Sequence, residues 1–131
     1  MKANFIFASG SLSKETLNYI IKNKILIFNA ENIDSIETLK LAIYHADKSF
    51  KKGQSFAKDY PLEIMLYLSG EKQIEVAKKI FGVDTKTKKF VIVSNDKSLL
   101  SKLGLKEDAK LKEKISDPTI FEKMVLLKLK K

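Results

Sequence analysis

Two contrasting helical patterns on either side of a Ser-Gly step constrain this fold most. They lie in residues 61–82, PLEIMLYLSGEKQIEVAKKIFG. Pro61 suits the first turn of a helix, and the residues up to Leu68 are apolar almost all round, which predicts a helix buried on most sides. After Ser69-Gly70, apolar residues recur at helical spacing among lysines and glutamates, which predicts an amphipathic helix. Because a helix buried on most sides needs neighbours, the chain must build a core around it.

The remaining segments alternate between strand and helix patterns. Strands are predicted at Asn4 to Ser9, Ile25 to Phe28 and Phe90 to Ser94, with a fourth in the alternating tail around Val125 to Leu129. A long helix is predicted after Asp34, which has capping-box spacing to Glu37. The charged segment 105–116 reads as a loop or short helix. We expect an α+β fold, with a small mixed sheet of three or four strands packed with about six helices. The 131 residues are predicted to form a single globular domain, 1–131.

The composition excludes several classes of protein. The chain has no cysteine, which rules out disulfides, a thiolate nucleophile and a zinc ribbon. No segment approaches the roughly 20 apolar residues that span a bilayer. We therefore expect a soluble, cytoplasmic protein with no membrane partner.

The charge balance points weakly to an anionic partner. The net charge is +9, from 25 basic and 16 acidic residues, and every basic residue is lysine. A codon bias of the genome explains this composition as well as a ligand does. Because arginine is the usual reader of guanine and phosphate, its absence argues against sequence-specific major-groove recognition. Contact of lysines with an RNA backbone remains open.

A search for catalytic residues finds mainly absences. The only histidine, His45, lies near the apolar stripe of the long helix, where a structural role is expected rather than metal binding. Asp59 and Glu63 could form an acid pair, but their place at the start of a helix explains them as capping charges. No P-loop, nucleophile elbow or dinucleotide fingerprint is present. We expect a protein that is not an enzyme, with no metal and no cofactor.

Two local features could serve a ligand. Ser69 and Gly70 could present backbone N–H groups to an anion, with Lys72 and Gln73 adding a charge and an amide. Alternatively, Ser69 caps the second helix and Gly70 permits a tight corner. Lys58 lies in a loop next to Tyr60, and the two could present a charge and a ring to single-stranded RNA. A solvated loop lysine is the competing interpretation.

A longer stretch, residues 56–93, resembles the small kinase-binding subunit of the KEOPS complex, the family of the PRPK-binding protein. The family pattern runs from a basic loop residue through Glu-hydrophobic-Leu-hydrophobic-Tyr-Leu-Ser-Gly to a helix that ends in Phe-Gly. The matching residues are Lys58, Glu63, Leu66, Tyr67, Leu68, Ser69, Gly70, Lys72, Gln73, Ile74, Ala77, Phe81, Gly82 and Val83. The family usually has arginine where Lys72 stands. Lysine keeps the positive charge, but it cannot make the paired hydrogen bonds of an arginine guanidinium.

The resemblance implies a non-catalytic subunit of the complex that makes the threonylcarbamoyl modification on tRNA adenosine. It implies two partners, the small atypical kinase/ATPase subunit and tRNA, which is captured by its single-stranded 3′ CCA end. RNA contact is then expected around the Ser-Gly turn, and kinase docking at an apolar patch of the last helix. The RNA-binding residues would be Lys58, Ser69, Gly70, Lys72, Gln73 and Asn95, and the kinase-binding residues Ile120, Phe121 and Met124. The alternative is a free-standing small-ligand or nucleotide-binding domain that uses the Ser69-Gly70 helix N-terminus.

Overall fold

The computed structural model describes residues 4–70 and 73–115, the side chain of Lys114 excepted. Contacts among these residues divide them into two units. The first unit consists of the described residues of Met1–Glu31 and Gly82–Lys114. The second unit consists of the described residues of Asn32–Phe81 together with Ile115. The elements are β1 (Phe5–Ser9), α1 (Lys14–Lys22), β2 (Ile27–Asn29), a short 3-10 helix (Ala30–Asn32), α2 (Ile36–Lys51), α3 (Tyr60–Ser69), α4 (Ile74–Phe81), β3 (Lys89–Val93), α5 (Ser98–Leu103), β4 (Lys106–Glu107) and α6 (Ala109–Lys114). The single-domain organisation stays a prediction.

The first unit contains a four-stranded sheet with the order β2-β3-β1-β4. Every described strand pair is antiparallel. The α+β class is thus confirmed, whereas the expected mixed character of the sheet is wrong for these strands. The reason is that β1 and β2 run in the same direction without pairing. β3 lies between them in the opposite direction and hydrogen-bonds to both.

The fourth strand of the described sheet lies in a segment where no strand was predicted. β4 pairs with β1 through Ala8↔Glu107 and Ser9↔Lys106, within the charged segment that was expected to be a loop or short helix. Both of its side chains are exposed, so no apolar alternation marks it in the sequence. The strand predicted around Val125 to Leu129 lies outside the described residues.

One face of this sheet, together with residues of α1 and α5, forms a continuous apolar core. Strand alternation supplies the sheet residues, and Ile20 and Leu103 come from the helices. α1 begins where the Ser13 hydroxyl accepts a hydrogen bond from the Thr16 N–H at 3.1 Å, a standard N-cap. The buried members of the core are Ile6, Ala8, Leu12, Ile20, Ile27, Phe90, Ile92, Leu103 and Leu105.

The second unit is helical, and α3 packs against both α2 and α4. All residues of α3 from Glu63 to Ser69 are buried, which confirms the helix predicted to be buried on most sides. α4 is amphipathic as expected, with Ala77 and Phe81 buried. α2 starts one residue later than predicted, because the Ser35 hydroxyl, rather than Asp34, accepts the capping hydrogen bond from Thr38.

Candidate nucleic-acid interface

Lys58 lies in the loop that joins α2 to α3, and its side chain is exposed. The chain leaves α2 through Gly53, whose φ of 65° is in the left-handed region. The Gln54 N–H then donates to the Ser49 carbonyl at 2.8 Å, which satisfies a carbonyl at the helix end. Ala57 turns inward and is only 3% exposed. Lys58 therefore extends into solvent from a loop whose preceding residue is packed into the second unit.

Glu63, the one charged residue among the buried positions of α3, is fully buried. Its Oε1 accepts hydrogen bonds from the N–H of Phe56 at 2.9 Å and of Ala57 at 3.0 Å. Asp59, the N-cap residue of α3, makes no side-chain capping bond. Both residues lie at the start of α3 as expected, but neither side chain makes a capping hydrogen bond to the helix. Glu63 bonds to the loop before the helix, and that loop carries Lys58.

Tyr60 holds the chain on the C-terminal side of Lys58. Its hydroxyl donates to Oδ1 of Asp47 on α2, and its ring meets Phe50 edge-on at a centroid distance of 5.7 Å. Burial, and then the hydrogen bond and charge of Asp47, raise the pKa of Tyr60 well above its ordinary value. The phenol therefore keeps its proton at neutral pH and remains the donor. The ring is half-buried and held against α2, in contrast to the expected role beside Lys58 in presenting a ring to RNA.

The Ser69-Gly70 turn ends α3 and does not begin α4. Ser69 is 4% exposed, and its hydroxyl donates back to the Leu66 carbonyl at 3.1 Å. Gly70 adopts φ 71° and ψ 15° as the C-cap, and its N–H donates to the same carbonyl at 2.9 Å. The expectation that the Gly70 N–H is available to an anion is therefore wrong. The interpretation of Ser69 as the cap of α4 stays a prediction. Both groups complete the C-terminal turn of α3, where glycine is favoured by the left-handed backbone.

Gln73 lies at the start of α4 and is exposed. Its carbonyl accepts from the Ala77 N–H at 3.2 Å, so it precedes the first helical turn while its side chain is free to face solvent. Lys78 and Lys79 are exposed on the same helix. Gln73 and Lys58 both belong to the second unit. Exposed lysines and exposed acids lie close together in sequence in this unit, since Asp59 follows Lys58 and Glu75 precedes the α4 lysines.

Asn95 belongs to the first unit, where it follows β3 and is exposed. Its neighbour Asp96 organises the turn into α5, because Oδ1 accepts from the Ser98 N–H at 3.0 Å and from the Ser98 hydroxyl at 2.5 Å. These two hydrogen bonds lower the pKa of Asp96. The turn thus has a defined shape that leaves Asn95 facing solvent.

The other predicted binding residues, Lys72 and the kinase-docking residues Ile120, Phe121 and Met124, lie outside the described residues.

His45 is part of the packing of the second unit. It is 8% exposed, and its ring lies 5.3 Å from the Tyr67 ring and 5.4 Å from the Tyr44 ring. Within residues 4–70 and 73–115, no group of three or more His, Cys, Asp or Glu side chains could hold a metal ion. Over the same ranges, no helix has both the length and the apolarity needed to cross a bilayer.

Two contacts were not predicted from the sequence: the hydrogen bonds of Glu63 to the loop before α3, and the hydrogen bond between Asp47 and Tyr60. A signal for Glu63 was present, since a glutamate inside an otherwise apolar helix must find donors when the helix is buried. No comparable signal joins Asp47 to Tyr60, which are thirteen residues apart.

A family model described as "Kinase binding protein CGI-121" matches residues 7–128, nearly the whole chain. A search of curated proteins finds no match. The family match agrees with the resemblance carried by residues 56–93, and it extends over residues of both units. The chain therefore belongs to the CGI-121 family of kinase binding proteins.

Proposed function

We propose that this chain is the non-catalytic, kinase-binding subunit of a KEOPS complex, which makes threonylcarbamoyladenosine in tRNA. The observation that carries the proposal is the family match over residues 7–128, whose description is kinase binding. The partner is then the small atypical kinase/ATPase of the complex. The apolar residues Ile120, Phe121 and Met124 are the proposed docking residues, and the remaining subunits are contacted indirectly.

The second part of the proposal is that the chain captures tRNA by its single-stranded 3′ CCA end. Support comes from the net charge of +9 and from the exposure of Lys58 and Gln73 on the second unit. The CCA tail is common to all tRNAs, so its capture needs backbone charge and stacking rather than base-pair readout. Such contact does not require arginine, because a lysine can neutralise a phosphate as a point charge.

The proposed roles of the turn residues change with the hydrogen bonds around them. Ser69 and Gly70 shape the surface by ending α3, since the Ser69 hydroxyl and the Gly70 N–H both bond to Leu66. Lys58 and Lys72 are proposed to neutralise phosphates, and Gln73 to contact a polar edge. Asn95, on the first unit, is proposed as a separate polar contact with RNA.

The alternative, a free-standing small-ligand or nucleotide-binding domain, needs Ser69-Gly70 to be a helix N-terminus with available donors. The turn is instead the C-terminal end of α3, where the helix dipole disfavours a phosphate. We therefore favour the kinase-binding subunit.

Co-expression with the small kinase tests the proposal. The two proteins should co-purify, and the pair should bind tRNA. Failure of the two to associate would remove the kinase-docking role. Association without any tRNA binding would keep that role and remove tRNA recruitment.

A further inference from the structure

The buried carboxylate of Glu63 has a geometry that helix capping does not explain. Glu63 is fully buried in the first turn of α3, yet Oε1 points back to the N–H groups of Phe56 and Ala57, at 2.9 and 3.0 Å. Burying a carboxylate is unfavourable unless hydrogen bonds replace its water. Two such bonds converge on one oxygen, and both come from the backbone of the α2–α3 loop.

These bonds fix the loop on the N-terminal side of Lys58. The Ala57 N–H is one of the two donors, and Ala57 is 3% exposed. On the C-terminal side, two residues later, Tyr60 is held by Asp47 and Phe50. Only Lys58 and Asp59 lie between these anchors, and both are exposed. The backbone that carries the Lys58 side chain is therefore held in place before any ligand arrives.

Such preorganisation matters for a single charged contact. A lysine on a loose loop loses backbone and side-chain freedom when it binds a phosphate, whereas a lysine on a fixed backbone loses only side-chain freedom. We propose that Glu63 is a positioning residue for RNA binding, which holds the Phe56-Ala57 backbone so that Lys58 faces the phosphate of a bound tRNA end. This role rests on the proposed tRNA recruitment.

A double-mutant cycle on the full chain tests it. The proteins are wild type, Glu63→Leu, Lys58→Ala and the double variant, each measured for its Kd for tRNA and for amide exchange at Phe56 and Ala57. Loss of one hydrogen bond corresponds to roughly a fivefold increase in local opening. We expect exchange at both amides in Glu63→Leu to be faster by about that factor. Glu63→Leu and Lys58→Ala should weaken tRNA binding by similar factors, and the double variant should bind no more weakly than Lys58→Ala.

Two further variants guard against a general loss of stability. Ser35→Ala removes the N-cap of α2, at the opposite end of that helix from the loop, and should leave the tRNA Kd at its wild-type value. Glu63→Asp keeps a carboxylate but withdraws it by one methylene. It should give intermediate exchange and intermediate affinity, and it carries the test if Glu63→Leu does not fold.

Several outcomes would overturn the positioning role. One is a loss of tRNA affinity in the double variant equal to the sum of the two single losses. Another is wild-type tRNA affinity in a Glu63 variant whose two amides exchange faster. The third is a loss of tRNA affinity in Ser35→Ala as large as that in the Glu63 variant. The proposed function fails separately, since wild-type protein that binds no tRNA would remove the recruitment role whatever the exchange rates show.

Discussion

Gly70 offers the sharpest test of the corner between α3 and α4. Its φ of 71° lies in the left-handed region, and its N–H closes the end of α3 on Leu66. A Cβ in this conformation costs roughly 1–2 kcal/mol. Gly70→Ala should therefore destabilise the protein by that amount, and Gly70→Asn by less, since asparagine tolerates the left-handed region better.

The expected loss of stability in Gly70→Ala can be converted to a change in melting temperature. An unfolding entropy of about 2.1 cal/mol/K per residue over 131 residues gives roughly 0.28 kcal/mol/K. A loss of about 1–2 kcal/mol should then lower Tm by about 4–7 °C, as measured by circular dichroism or calorimetry.

Gly104 supplies a matched control. It is the C-cap of α5 with φ 69°, and a Cβ built there meets nothing within 4 Å. Gly104→Ala should lower Tm by a similar amount, but only Gly70→Ala should also weaken tRNA binding. An unchanged Tm in Gly70→Ala would refute the capping geometry, and equal tRNA affinities in the two variants would refute a role of this turn in the RNA surface.

Three further predictions concern individual side chains. Tyr67→Phe removes the buried 2.8 Å hydrogen bond to Ser49 and should lower the free energy of unfolding by about 1–3 kcal/mol in urea titrations; an unchanged midpoint would contradict the bond. The hydrogen bond from Lys89 and the N–H of Leu111 lower the pKa of Asp108. Because this pKa is lower in the folded state, the stabilisation is present at neutral pH and is lost as the pH falls below about 4. In Lys89→Ala the pKa of Asp108, measured by NMR, should rise towards its ordinary value. An unchanged pKa would exclude the hydrogen bond between Lys89 and Asp108 in solution. Lys58→Ala should lower the slope of log K against log salt for tRNA by about 0.7, the value for one single-strand phosphate contact, and an unchanged slope would place Lys58 outside the interface.

The sequence allowed the helices of the second unit to be predicted because burial and periodicity agree there. The apolar run after Pro61 belongs to a helix with neighbours on two sides, and the lysines of α4 mark its solvent face. Ser69 was harder to assign, since serine before glycine is compatible with an N-cap and also with the last turn of a helix. The hydrogen bond from its hydroxyl to the Leu66 carbonyl places it in the last turn of α3.

The sheet shows a different limit. Its strands have clear patterns where they are buried, but the insertion of β3 between β1 and β2 depends on pairing across sixty residues of chain or more, which no local pattern encodes. β4 is two exposed residues long, so its pairing with β1 comes from the backbone alone. Glu63 shows a related limit at the candidate interface. Its charge was visible in the sequence, but the donors that it finds were not.

The most direct test of the central proposal is the affinity of the purified chain for one tRNA, measured with its 3′ CCA end intact and with that end removed. We predict that removal of the CCA end abolishes most of the binding at moderate salt. Equal affinity for the two tRNAs would contradict capture of the single-stranded end.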